Sequence, residues 1–452
     1  MAERKKKSKL KNRSHNPTRI IAVTFAAIIL LGTLLLMLPV SSRSGISCGF
    51  RPALFTATSA TCVTGLTLYD TATQWSAFGQ IVIITLIEIG GLGFMSAAAV
   101  VLFLFRRKLG LRQRMVMAQA MSVDDMQNVV KLQKYVIFGS LSIQACGALV
   151  MFLRFLPQYG AGKAVAWGVF HAISAFCNAG FDILGNGDSI AALNHDPVIL
   201  ITLMLLVVLG SLGFLVWEEV VRVKRFRKFS VYTKLVLLAT LVLLIGGAFL
   251  ILIAEWSNPA TLGNMPVWQK VLNSFFQSVT LRTAGFASFD QAALTEGGKG
   301  ISMIFMLIGG CSGSTAGGAK VVTVVVLVLF VTTRLQGRST VTVFKNSIQS
   351  EKVMDAMMIV TVMVGLSLFG ALVICTTSPV SFTDGLFESI SAIATVGVTA
   401  GATPQLSIVA QFMIILFMYF GRVGILTLSL GFLLGDKAEE RFRYAHTNLL
   451  IG

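Results

Sequence analysis

Four eleven-residue stretches of this 452-residue chain begin with phenylalanine and end in glycine: FTATSATCVTG (55–65), FHAISAFCNAG (170–180), FFQSVTLRTAG (275–285) and FESISAIATVG (387–397). The closing glycines, Gly65, Gly180, Gly285 and Gly397, stand 115, 105 and 112 residues apart. The first part of each stretch has helical character, but seven residues extend only ~10 Å at ~1.5 Å per residue. It can enter a bilayer and not cross it. The remainder must return in a non-helical form, which membranes tolerate only where protein or water surrounds it. Glycine permits positive φ and close approach of several chains. Carbonyl oxygens turned to a common axis would then replace the water around a cation, and the C-terminal ends of the short helices would add partial negative charge. One such stretch would be an ordinary loop; four at constant spacing argue for a site of cation coordination.

A second cluster lies in GGCSGSTAGGAK, 309–320, which interrupts an apolar run. Gly313 to Lys320 nearly fits the phosphate-binding pattern G-x4-G-K-[ST]. Ala319 intervenes before the lysine, Val321 replaces the required hydroxyl, and both flanks read as membrane helix. The better reading is a flexible loop at membrane depth, just below the glycine turns. Arg422 and Glu88 are charges deep in apolar runs, costly unless paired or facing water. An ion pair of Glu88 with Arg422 or Lys320 is expected; otherwise Lys320 adds to a barrier or extends toward the cytoplasm.

Other chemistry is sparse. The four histidines, His15, His171, His195 and His446, are scattered, and His171 is expected to pack or hydrogen-bond in its short helix. The six cysteines show no C-x-x-C spacing, so neither a zinc site nor a disulfide framework is supported. No polar cluster suits an enzyme. A proton- or sodium-coupled carrier would call for paired acids near the midplane, where Glu88 stands alone.

The elements that must hold these residues are membrane helices. The chain is 55% hydrophobic and 13% charged, unlike a soluble domain. Eight apolar runs approach the ~20 residues needed to cross ~30 Å of hydrocarbon: about 19–40, 78–105, 133–156, 197–217, 233–254, 300–333, 354–376 and 406–434. The first follows a basic tail without a cleavage pattern and reads as a retained helix. Of 37 lysines and arginines, 28 fall in the two tails and the connections 106–134, 222–234 and 334–352, which places those segments in the cytoplasm. The net charge of +17 therefore needs no nucleic acid. Every even run carries a Gly-x-x-Gly pair, Gly90/Gly93, Gly210/Gly213, Gly310/Gly313 and Gly421/Gly424, suited to close helix approach. The predicted fold is all-α and integral to the membrane: four parallel helix–pore-loop–helix repeats, with eight transmembrane helices, four re-entrant pore helices and pseudo-fourfold symmetry about one pore. The units run 17–110, 111–228, 229–340 and 341–435, between a basic tail (1–16) and a C-terminal tail (436–452).

In these motifs the sequence resembles the Trk/Ktr/HKT superfamily of potassium and sodium translocating subunits, from about Pro17 to Gly435. Eight spans directly after a short basic tail look most like its bacterial KtrB branch. The resemblance implies a single pore with one filter strand per repeat: Cys62, Val63, Thr64 and Gly65; Cys177, Asn178, Ala179 and Gly180; Arg282, Thr283, Ala284 and Gly285; Ala394, Thr395, Val396 and Gly397. Cys62 and Cys177 would contribute carbonyls rather than thiols. Glycine at all four turns goes with potassium in this family, whereas serine at the first goes with sodium, and Arg282 departs from a simple filter. The loop implies an intramembrane gate formed by Gly310, Gly313, Ser314, Thr315, Gly317, Gly318 and Lys320, with Arg422 holding it shut or impeding cation exit. Also implied are potassium as substrate, sodium as a candidate activator, no cofactor bound by this chain, a homodimer in the cell membrane with both termini cytoplasmic, and a cytosolic ring of nucleotide-binding regulatory subunits of the KtrA type. Candidate docking surfaces for that ring are 106–134, 222–234 and the C-terminal tail. The alternative is a sodium-permeable or sodium-coupled carrier of the same superfamily.

Overall fold

The computed structural model describes residues 17–93, 129–185, 187 and 189–424. The basic tail 1–16, the end of the second apolar run with most of the first basic connection (94–128), and the end of the eighth run with the C-terminal docking stretch (425–452) lie outside the described residues.

Four helices have the length and apolarity to cross a membrane: α1 (Pro17–Leu36), α4 (Val129–Phe176), α7 (Val231–Glu255) and α11 (Ser350–Thr377). Their outer faces carry Leu34, Val242, Phe249 and Leu372 at 57–68% exposure, while Ser59, Thr61, Ser174 and Ser391 are fully buried. Apolar outside and hydroxyl inside is the reverse of a water-soluble fold, and it suits a chain dissolved in lipid. The chain is a multi-pass membrane protein. Within α4, Gly160 at φ 74°, ψ 164° breaks the helical dihedrals three residues after Pro157, so the third apolar run and the second short helix follow one another almost without a connection.

The even runs differ from expectation. They begin as helices α3 (Ala77–Leu92), α5 (Pro197–Ser211), α9 (Glu296–Leu307) and α13 (Ile408–Val423). Each starts at a side-chain cap: Ser76 accepts from the Gly79 N–H, Asp196 from Val198 and Ile199, Thr295 from Gly298 and Ser407 from Ala410. A cap of this kind contributes ~1 kcal/mol. Yet a 16-residue helix such as α3 is only ~24 Å long, short of the hydrocarbon thickness. The even runs are thus broken within or beside their glycine pairs, and the runs 78–105 and 406–434 continue beyond the described residues. Among the described residues four helices qualify, or five when α5 is joined to α6 (Phe214–Val223), which turns away from it by 96°. In three units the cause is the second glycine of the Gly-x-x-Gly pair: Gly93, Gly213 and Gly424 take φ of 83°, 89° and 94°, left-handed values that stop a helix, whereas α9 ends earlier, at Leu307.

The first glycine of the pair does something else. A methyl group on Gly90 would collide with the carbonyl oxygen of Thr61, on Gly210 with that of Phe176 and on Gly421 with that of Ile393. These carbonyls end the short helices α2 (Phe50–Thr61), α4 and α12 (Phe382–Ile393). The pairs serve contact with a helix end, not a helix crossing. In the third unit Gly310 instead meets Ala316 and Ser211, because α9 has already ended.

The short helices α2, the last part of α4, α8 (Val267–Thr280) and α12 are packed in rotation: α13 on α2, α3 on α4, α5 on α8 and α9 on α12. Each even helix thus leans on the short helix of the next unit, and the last closes on the first. Charged side chains at this end find partners. Arg154 pairs with Asp196 at 2.6 Å and Lys299 with Asp384 at 2.7 Å. Lys270 donates to the Trp256 carbonyl at 2.8 Å with its ammonium 4.7 Å from that ring's centre. After the interruption at 309–320, α10 (Val321–Leu335) completes the third unit, and a small antiparallel pair, β1 (Thr342–Val343) and β2 (Asn346–Ser347), opens the fourth.

Candidate functional site

The four glycine-terminated stretches repeat an unusual backbone. Val63, Asn178, Thr283 and Thr395, each two residues before the glycine, have φ of 56°, 60°, 66° and 52°, and Gly65, Gly180, Gly285 and Gly397 have φ of 104°, 69°, 84° and 94°. Three of the first set are β-branched, for which left-handed dihedrals cost on the order of 1–3 kcal/mol each. Alternating handedness turns successive N–H groups to one side of a strand and their carbonyls to the other.

The N–H side is tied to the short helix behind it. Thr64 N donates to the Ser59 carbonyl at 2.8 Å, Ala179 N to that of Ser174 at 2.8 Å and Val396 N to that of Ser391 at 2.8 Å. Hydroxyls complete the tie: Ser59 and Ser391 accept from the N–H of Gly65 and Gly397, each at 3.0 Å, and Ser174 and Ser391 donate to the carbonyls of Phe181 and Val398 at 2.7 and 2.6 Å. In the third unit the role shifts by one residue, with Thr280 Oγ1 donating to the Phe286 carbonyl at 2.6 Å. These anchors escaped the sequence reading, although Ser59, Ser174 and Ser391 all stand six residues before a glycine. Glu388, fully buried, also escaped it. Its carboxylate accepts from the Ala400 N–H at 3.1 Å, the Thr403 hydroxyl at 2.7 Å and the Thr399 hydroxyl, fixing the chain beyond Gly397.

The glycines meet. A methyl group on Gly65 would stand 2.6 Å from the Ala179 oxygen and 3.3 Å from Gly397 Cα; on Gly180, 2.5 Å from Gly285 Cα; on Gly285, 2.9 Å from the Val396 oxygen; on Gly397 it would strike the Thr64 oxygen. The four closing glycines and the carbonyls of Thr64, Ala179, Ala284 and Val396 are thereby drawn into one cluster. The Arg282 side chain is not among the glycines. It is buried behind its strand, with Nη2 3.4 Å from Thr240 Oγ1 on α7.

Residues 309–320 lie against this cluster and are tied to it and to one another by hydrogen bonds. Gly309 N donates to the Ala319 carbonyl (2.8 Å), Cys311 N to Ser211 (2.9 Å), Thr315 N to Gly210 (3.2 Å) and Val321 N to Gly310 (3.0 Å), while the Gly313 carbonyl accepts from Phe214 N (2.9 Å). Thr315 Oγ1 donates to the Phe176 carbonyl at 3.1 Å and lies 3.4 Å from the Asn178 amide. Ser314 closes the turn onto the Cys311 carbonyl at 2.6 Å. A side chain on Gly317 would strike Thr395, and Gly318, at φ 66°, comes close to the Ala394 carbonyl.

Arg422 reaches this loop from α13, donating to the Thr315 carbonyl and to the carbonyls of Gly90 and Gly91, the last at 3.0 Å. The other charges are arranged differently from the expectation. Glu88 forms no ion pair with Arg422 or Lys320: its carboxylate accepts from Gln144 Nε2 at 3.0 Å and from the Cys177 thiol at 3.2 Å. Arg422 is satisfied by carbonyls, and Glu88 faces the second unit. The Cys177 thiol thus takes part, where its carbonyl alone was foreseen. Lys320 does not extend toward solvent; its ammonium folds back onto the Ala316 and Gly317 carbonyls at 2.7 and 3.4 Å. His171 packs as anticipated, Nδ1 lying 2.7 Å from the Trp167 carbonyl.

The family model described as "TrkH: Cation transport protein" matches residues 2–441. The chain belongs to this TrkH family. It is accordingly a cation transport protein and not an enzyme. It is 39% identical to a potassium/sodium uptake protein, NtpJ, of Enterococcus hirae over 97% of both chains. Identity is 37% to the Ktr system potassium uptake protein B of Bacillus subtilis, over 94% of this chain and 95% of that one. The resemblance to the KtrB-type branch is upheld by these relatives. The crystal structure of the potassium transporter TrkH from Vibrio parahaemolyticus superposes with a TM-score of 0.72, covering 93% of this chain and 85% of that one at 18% identity, a likeness of fold.

For this TrkH-family chain, Ser391→Ala is expected to destabilise the fourth strand. It removes one hydroxyl that both accepts from Gly397 and donates to Val398, leaving a buried N–H and carbonyl unsatisfied at ~1–3 kcal/mol. Thermal melting in detergent should show a midpoint lowered by several degrees, whereas an unchanged midpoint would mean that the anchor carries no load.

Proposed function

We propose that this chain is the ion-translocating subunit of a potassium uptake system. Four parallel helix–pore-loop–helix units, 17–110, 111–228, 229–340 and 341–435, surround one central pore with pseudo-fourfold symmetry. A potassium ion exchanges its hydration shell for the carbonyl oxygens of Cys62–Gly65, Cys177–Gly180, Arg282–Gly285 and Ala394–Gly397. The observation that carries this reading is the fourfold recurrence of left-handed residues at the same two positions around touching glycines. The loop 309–320 is the gate, closing the cytoplasmic half of the pore through Thr315, with Arg422 as its latch. Permeation is channel-like: the chain binds no cofactor, and sodium acts at most as an activator.

The relatives' names support potassium, and one of them, a potassium/sodium uptake protein, favours a second reading: sodium permeation or sodium coupling through the same strands. Both termini and the basic connections face the cytoplasm of the cell membrane. There a homodimer of this chain receives a cytosolic ring of nucleotide-binding regulatory subunits.

The test is cation uptake into potassium-starved cells lacking their own uptake systems. Expression of the chain should restore growth at limiting potassium, with rubidium entry competed by potassium and weakly by sodium. Sodium entry of equal rate, or potassium entry that requires sodium, would replace the first reading with the second.

A further inference from the structure

The bend between α5 and α6 produces a feature the transport reading does not use. A turn of 96° at Gly213 sends α6 sideways from the end of α5, toward the basic connection that follows it. Phe214, Val216 and Trp217 point into the protein, and Val220, Val221 and Arg222 point out. Beyond α6 the chain exposes Lys224, Arg225, Arg227 and Lys228 around an exposed Phe226. The nearby acids are already committed. Glu218 pairs with Arg222 at 3.4 Å, and Glu219 accepts from the Ser230 N–H, the Ser230 hydroxyl and the Thr233 hydroxyl. Among the described residues no carboxylate reaches Lys224, Arg225, Arg227 or Lys228. Exposed valine and phenylalanine beside unneutralised basic groups, on a connection that the charge distribution assigns to the cytoplasmic side, suit the boundary between acyl chains and anionic headgroups.

This segment also holds the loop. Phe214 N–H, the first of α6, donates to the Gly313 carbonyl at 2.9 Å, and the Tyr232 hydroxyl, just past the basic stretch, donates to the Ser312 carbonyl at 3.2 Å. Both ends of the surface segment therefore grip adjacent residues of the intramembrane loop.

We propose that residues 214–234 form a binding site for anionic phospholipid headgroups of the cytoplasmic leaflet, and that the occupied site steadies the loop 309–320 through Phe214 and Tyr232. The inference rests on the orientation and gate given under Proposed function. Lys224, Arg225, Arg227 and Lys228 hold the phosphates, and Val221 and Phe226 enter the acyl boundary.

The test uses the full chain in nanodiscs of phosphatidylcholine with or without phosphatidylglycerol, with retained lipid read by native mass spectrometry after detergent exchange. Wild type should keep phosphatidylglycerol in preference to phosphatidylcholine. Neutralising Lys224, Arg225, Arg227 and Lys228 to glutamine should reduce that preference at least about tenfold, each surface charge being worth roughly fivefold. Lys224→Arg with Lys228→Arg should keep it, and raising salt should weaken it in wild type without any substitution. Tyr232→Phe should retain the lipid but lose the dependence of cation flux on it. An undiminished preference in the neutralised chain, or in wild type at high salt, overturns the proposal. So does a neutralised chain that loses only a protein partner. A lipid preference in a chain that passes no potassium would leave this site standing while the transport reading fell.

Discussion

Gly65→Ser is expected to lower the discrimination of potassium over sodium at least about tenfold, equivalent to ~1.4 kcal/mol. Gly65 sits at φ 104°, and a Cβ there would stand 2.6 Å from the Ala179 oxygen and within 3.4 Å of the Cα atoms of Gly397 and Gly180. Backbone, not a yielding side chain, is what it meets. In the proposed filter the first strand must then shift, so that its carbonyls fit the larger ion worse while a serine hydroxyl offers the smaller ion a new ligand. Competition of sodium against rubidium uptake in proteoliposomes measures the ratio. Gly246→Ala on α7, where an added methyl meets nothing within 4 Å, should leave it unchanged. Were the serine variant equally selective, the carbonyls of 62–65 would not coordinate the ion.

The positions of the four turns were legible because glycine at a left-handed residue leaves a mark that any reader of spacing can find. The left-handed Val63, Thr283 and Thr395 left none. β-branched residues disfavour that conformation, and the bonds at Ser59, Thr280 and Ser391 hold the strands that carry them. The long odd helices were legible from apolar length alone. The breaks in the even helices were not legible in this way, since Ala77–Leu92 and Ile408–Val423 run apolar into their glycines, and hydropathy does not register a change of φ at Gly93 or Gly424. The charges were the hardest to place. Arg422 and Glu88 invited pairing by sign, but a guanidinium with five donors is as well served by three carbonyls. Glu88 found Gln144 and Cys177 on a helix whose facing side no local pattern announces.

Arg422→Gln is expected to raise cation flux through the chain, reconstituted alone in proteoliposomes, by at least about tenfold. The guanidinium spans the Thr315 carbonyl of the loop and the Gly90 and Gly91 carbonyls at the end of α3, so one side chain joins the loop to a neighbouring unit. Hydrogen bonds from a charged donor contribute about 1.5–3 kcal/mol each, and a shift of only ~1.4 kcal/mol multiplies the open population tenfold. Deleting 313–318 should raise flux further, because it removes Thr315 together with its bonds to Gly210 and Phe176. Arg422→Lys separates the two roles foreseen for this residue. A positive charge that merely repels departing cations survives the exchange, and flux would stay low. A latch that bridges two groups of carbonyls needs the planar fork, which lysine lacks, and flux should rise nearly as far as with glutamine. The three carbonyls contacted by Arg422 favour the latch. Low flux in both Arg422→Lys and Arg422→Gln, in protein that still melts cooperatively, would remove Arg422 from the gate altogether.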